Sequence, residues 1–180
     1  GLHARAAAWW GARDDPVQAL AHVTAAGDQP LIVTLLDRFA LRFVVAGAHQ
    51  LVRRALDQVA SAEQSRDPWL ELCSTLCHLE AGELPEAEAA LDRAERHRPA
   101  KPTPDLDVLY AAARSFHSWQ CGRPRVGGAA GSERSLLTGE PAAVALAGVV
   151  AALDQLTTPQ ERAAGRQGIA DTLRLAEAQG

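Results

Sequence analysis

Of the 180 residues, 47% are hydrophobic but only 4% aromatic, and 37 are alanine, the best helix former and a poor strand former. A net charge of −4 and a pI near 5.9, with Lys101 the single lysine among 18 basic residues, argue against a nucleic-acid surface on this segment. The longest apolar stretch, Ala142 to Leu153, is far short of a spanning helix, so no membrane partner is expected.

Three cysteines do not make a disulfide framework, and a reducing, cytoplasmic setting is expected. No secretory leader is expected either, because Arg5 and the polar run after Trp10 interrupt any apolar core. Gly1–Leu2 enters a helical pattern without a cap, which reads as a segment cut from a longer chain.

Helical spacing covers residues 2–13 at once. Asp15–Pro16 then marks a start for 16–26, since a capping side chain followed by proline fixes the first helical φ. Further helices are expected over 30–46 and 49–60. Asp67–Pro68 opens 68–81, where Trp69, Leu72, Leu76 and Leu79 fall at steps of three, four and three. The next helix, 84–97, carries Leu84, Ala87, Leu91 and Ala94. Thr103–Pro104 opens 104–120, with Leu106, Leu109, Ala113 and Phe116 on one stripe. Residues 122–139 hold five glycines and form a flexible loop. Helices follow over 141–156 and, from the capping box Thr158–Pro159–Gln160–Glu161, over 159–178. Nothing alternates with period two. The expected fold class is all-α, with helical repeats over 1–121, the loop 122–139, and a C-terminal helical hairpin of the same domain over 140–180.

The helices repeat. In a tetratricopeptide unit of 34 residues a glycine ends the first helix, and a small residue in the second lets the pair pack closely. The clearest unit runs from Trp69 to Pro99: Gly82 turns the chain, Ala87 takes the close-packing position, and Ala94 lies one heptad on. Two periods earlier stand Ala19 and Ala26. Gly47 occupies the intervening turn, and Ala7 fits the small position of the first helix, with Asp14 at its turn. The expected architecture is an α-solenoid of stacked antiparallel hairpins. His78 and Glu71 depart from the consensus, at positions where an aromatic and tryptophan are usual.

The run Leu2–His3–Ala4–Arg5–Ala6–Ala7–Ala8–Trp9–Trp10, followed by Asp15–Pro16–Val17–Gln18–Ala19–Leu20–Ala21–His22 and Ala25–Ala26–Gly27–Asp28, resembles the helical region of large LuxR-type, MalT-like regulators. The later runs Asp67–Pro68–Trp69–Leu70–Glu71–Leu72, Ala81–Gly82–Glu83–Leu84 and Ala87–Glu88–Ala89–Ala90–Leu91 are similar to the next repeats of that region. The likeness covers residues 2–98. It implies an effector-sensing arm of a signal-transduction ATPase that controls transcription. The phosphate loop and the helix-turn-helix that complete such a regulator would lie outside these 180 residues.

The chemistry-bearing residues are weighed against packing. Cys73, Cys77 and His78 on one helix, with His117 and Cys121 on another, offer soft ligands for zinc only if those helices stack, and their spacing is not that of a zinc knuckle. Buried thiols in helix packing are the expected outcome, with no metal and no cofactor. Asp107, Ser115 and His117 contain the letters of a catalytic triad, but one helix cannot bring Asp107 to orient the histidine. His78, His117, Glu80, Glu83, Glu86 and Glu88 read as solvated faces and turn residues. The glycine run 127–131 follows no strand and is a weak phosphate-loop candidate.

The expectation is therefore binding rather than catalysis, on the concave face of a solenoid. Trp69, Leu72, Leu76 and Glu80 are the groove candidates, with plain core the better reading of Leu72 and Leu76. Trp9, Trp10, Tyr110 and Trp119 suit either core or contact. Expected partners are other domains of the parent chain, and a small effector or a protein. The alternative is a stand-alone adaptor or co-chaperone, and flanking sequence would discriminate the two.

Overall fold

Asp15, Asp28, Asp67 and Thr103 each accept a hydrogen bond from a backbone N–H two or three residues ahead, and each is followed within two residues by proline. These caps set the starts of four helices in a computed structural model that describes residues 1–122, 141–157, 166–171 and 174. The helices are α1 (Leu2–Gly11), α2 (Pro16–Ala26), α3 (Gln29–Val45), α4 (His49–Leu56), the single turn α5 (Ser61–Gln64), α6 (Pro68–Glu80), α7 (Leu84–Arg96), α8 (Pro104–Gln120) and α9 (Pro141–Thr157). A further helical stretch covers 166–171. The described residues are all-helical, with no strand. The expected loop at 122–139 and the capping box at 158–161 lie outside the described residues, as does most of 159–178.

The chain divides into two compact units, Gly1–Arg98 and Pro99–Gly180. That boundary falls within the 1–121 span grouped together on sequence. In the second unit α8 packs on α9, burying Leu109, Tyr110 and Ala113 on one helix and Ala143, Ala147 and Val150 on the other.

In the first unit four residues turn the chain through left-handed φ, Gly27 at +70° among them, and three of these recur at near-constant spacing. Asp14, Gly47 and Gly82 all take left-handed φ, at +58°, +65° and +73°. Two residues after each, a helix begins: α2 at Pro16, α4 at His49, α7 at Leu84. Five residues after each stands a buried side chain, Ala19, Val52 and Ala87, and nine after each another, Val23, Leu56 and Leu91. The hairpins α1–α2 and α6–α7 are in close contact, and α3 packs on α4, α2 and α6. At Gly47 and Gly82 the next amide reaches back to a carbonyl five residues earlier, Ala48 N to Phe43 O and Glu83 N to His78 O, both at 2.9 Å. Only a residue that tolerates left-handed backbone closes this turn without strain.

The register fails at one position. Ala26, expected to pack one heptad after Ala19, is exposed. Its helix ends there, and the left-handed Gly27 carries the chain away, whereas Ala94 keeps two further helical residues behind it and is fully buried. Ala7 is buried as expected.

α4 is shorter than its sequence pattern. It stops at Leu56 instead of residue 60, and the chain passes through an extended Ala60 into α5. The departure is held by tertiary contacts: Val59 is buried, and the Gln58 side chain donates at 3.0 Å to the carbonyl of Thr24 in the last turn of α2, which also accepts the Gly27 N–H. α3 is kinked at Phe39, whose φ of −124° and ψ of 17° leave the helical region.

Candidate functional site

α6 lies at the centre of the first unit, and nearly its whole surface is covered. Leu70, Leu72, Cys73, Leu76 and Leu79 are buried, and so are the polar Glu71, Ser74 and Thr75. This corrects two groove candidates: Leu72 and Leu76 are core, because α3, α4 and α7 close over α6 from several sides. Trp69 is half-buried and Glu80 exposed, so the four residues form no shared open surface. Trp9 and Trp119 are the exposed aromatics, and the Arg13 guanidinium stacks 3.4 Å from the Trp9 ring centre. Tyr110 is buried in the second unit and Trp10 is half-buried.

Beside α6 the early end of α4 leaves room. The segment 57–64, which would have continued α4, instead walls a half-open cavity of about 300 Å³. Its polar lining comes from Arg53, Asp57, Ser61, Gln64, Ser74, Cys77 and His78, and its apolar lining from Leu56 and Val59.

At the rim Arg53 Nη2 donates to both carboxylate oxygens of Glu83 at 3.0 Å, and His78 Nδ1 lies 2.7 Å from Glu83 Oε2. His78 first and Arg53 second hold the Glu83 carboxyl below its usual range, and Glu83 in turn raises the Arg53 guanidinium. A carboxylate can only accept, so it is His78 Nδ1 that carries the hydrogen of this bond. His78 and Glu83, expected as solvated residues, are thus tied to each other and to α4.

Much of the remaining lining makes no side-chain hydrogen bond among the described residues. Arg53 keeps Nη1 and Nε free of partners, and neither the Asp57 carboxylate nor the Gln64 amide is hydrogen-bonded among the described residues. Ser74, only 6% exposed, donates to nothing, whereas Thr24, Thr34, Thr75 and Ser115 each bond the carbonyl four residues back. No family model, curated protein or solved structure matches this chain. The site therefore stands on its own geometry.

The thiols are not poised for chemistry. Burial pushes the Cys77 thiol up to about 12, against a smaller opposing pull from Arg53, and burial lifts Cys73 well above its ordinary value. Cys77 Sγ donates to the His49 carbonyl at 3.4 Å. His117, expected on a solvated face, is buried, with its Nε2 3.6 Å from Cys121 Sγ on the same helix. No group of three or more metal-ligating side chains comes together among the described residues.

Sequence reasoning missed Arg53, Asp57, Gln64 and Ser74. One signal was legible: Ser74 stands amid Leu70, Leu72, Cys73 and Leu76, in a helix otherwise dominated by apolar side chains.

Proposed function

We propose that this chain is a non-catalytic binding segment built of stacked tetratricopeptide-like hairpins, serving as the effector or partner arm of a LuxR/MalT-like ATPase that regulates transcription. The observation that carries the binding reading is the common phase of the first unit: left-handed turns at 14, 47 and 82 lie 33 and 35 residues apart, each with a helix two residues on and a buried residue five on, and Gly27 makes the same turn between α2 and α3. Units repeated in phase rotate slightly on one another and build the curved surfaces that such arrays use for recognition. The unsatisfied polar cavity beside α6 gives that surface a place for a small ligand. The regulator context rests on the resemblance of residues 2–98, and the acidic balance fits an arm that leaves DNA to another domain.

Ligand binding controls output only if it favours one of two domain arrangements of the parent. Deleting residues 1–180 from the parent should therefore uncouple transcription from effector, leaving output constitutive or absent. A normal effector response in that deletion would refute the regulator reading, and so would salt-sensitive DNA binding by the isolated chain. A parent with no ATPase or DNA-binding portion would instead favour the adaptor.

A further inference from the structure

The cavity lining holds unused groups of both kinds. Arg53 Nη1 and Nε and the Ser74 hydroxyl can donate, the Asp57 carboxylate can accept, and the Gln64 amide can do either. Ser74 carries particular weight, because a helical hydroxyl has a carbonyl within reach four residues back and this one leaves it unused. The Ser74 hydroxyl lines the cavity instead, where a bound group can take its hydrogen bond.

Charge then selects the ligand. Arg53 is already neutralised on one edge by Glu83, and Asp57 adds a second carboxylate close enough to raise the Arg53 guanidinium. A simple anion would meet Asp57 and Glu83, and a simple cation would meet Arg53. A molecule bearing both charges a few bonds apart meets neither objection. The size agrees: about 300 Å³ is at the small end of ligand pockets and suits a single compact molecule rather than a chain segment.

We propose that this cavity binds a small zwitterion, a free α-amino acid, with its carboxylate on Arg53 and Ser74 and its ammonium on Asp57. Gln64 and Val59 are then the wall that reads the side chain. The assignment rests on the binding reading above and names its ligand class. A chain that takes no amino acid yet still docks on the rest of its parent would sink the zwitterion alone.

The test uses the 180-residue chain. The standard L-α-amino acids are added singly at millimolar concentration while the thermal midpoint is followed, and any that raise it are titrated calorimetrically. For each hit, the N-acetyl derivative removes the ammonium and the amide removes the carboxylate. At least one amino acid should bind, and each derivative should bind about tenfold more weakly or worse, as expected for loss of a charge-assisted hydrogen bond. Asp57→Asn, at an exposed position, should leave the unliganded midpoint unchanged and weaken binding about tenfold. Ser74→Ala should keep the fold and weaken binding too. The proposal is overturned if no amino acid raises the midpoint or releases heat, if an N-acetyl derivative binds as tightly as its parent, or if both variants keep full affinity.

Discussion

Replacing Ala87 by leucine probes the packing phase directly. Ala87 has no exposed surface and lies on α7 in the hairpin with α6, at the position equivalent to Ala19 in α2. Three added carbons have no free space there, so neighbours must leave their rotamers or the helices must part, at about 1–3 kcal/mol. For a unit the size of Gly1–Arg98, each kcal/mol moves the midpoint by about 4–8 °C, so the variant should melt roughly 5–20 °C lower. Glu86→Leu, one residue away and exposed, should stay within about 0.5 kcal/mol of the parent. Ala19→Leu, at 2% exposure, should follow Ala87→Leu rather than the control. Far-UV circular dichroism during heating measures all three. Equal midpoints for Ala87→Leu and Glu86→Leu would show that the two helices do not close on that residue.

Other substitutions test other links. Gly82→Ala adds a Cβ that meets nothing within 4 Å, so its cost is the left-handed backbone alone, about 1–2 kcal/mol, read as a midpoint a few degrees lower. Asp37 is pushed up to about 6 by burial first and then by Asp67 and Glu63, and one of its oxygens is buried without a partner. Below about pH 4 it is protonated in both states. Between its ordinary value of 3.8 and about 6 the folded chain keeps a proton that the unfolded chain has released, so its contribution to stability falls as pH rises and stays low above that window. Asp37→Asn should accordingly raise the midpoint at neutral pH and leave it near the parent's at about pH 4; an equal effect at both would refute this reading. Glu71 is buried and pairs at 2.8 Å with Arg93, itself about a third exposed at 32%. Arg93→Ala strands a buried carboxylate and should cost about 2–3 kcal/mol after allowance for that exposure, whereas Glu71→Leu with Arg93→Leu together should come closer to neutral in denaturant titrations.

How far the sequence reaches is clearest at the helix ends. Asp15–Pro16, Asp67–Pro68 and Thr103–Pro104 announce three starts because cap and proline act within three residues, and no distant contact has to agree. Asp28–Gln29–Pro30 carries the same signal one residue out of step, and there α3 begins at Gln29. Burial on one side of a helix was legible from spacing, as at Ala87 and Ala94. Burial all round was not: Glu71 reads only as a departure from the repeat consensus, and its burial depends on Arg93, 22 residues on, which comes back across the hairpin to pair with it.

The cavity is the deepest case. Its existence depends on keeping one period and breaking another. The turns at Asp14, Gly47 and Gly82 remain 33 and 35 residues apart, so the hairpins stay in phase. Within that constant spacing α2 runs on to Ala26, twelve residues past its turn, but α4 stops at Leu56, nine past its own. The residues α4 gives up become the wall that carries Asp57, Val59 and Gln64 around to face Ser74 and His78. Neither glycine nor proline marks the break at 57–60; Val59 is buried there, and the Gln58 bond to the Thr24 carbonyl comes from a helix some 34 residues away in the chain. A repeat reads from sequence because each unit obeys the same local rule. The cavity arises where one hairpin departs from that rule, and a contact that holds the departure comes from the neighbouring hairpin.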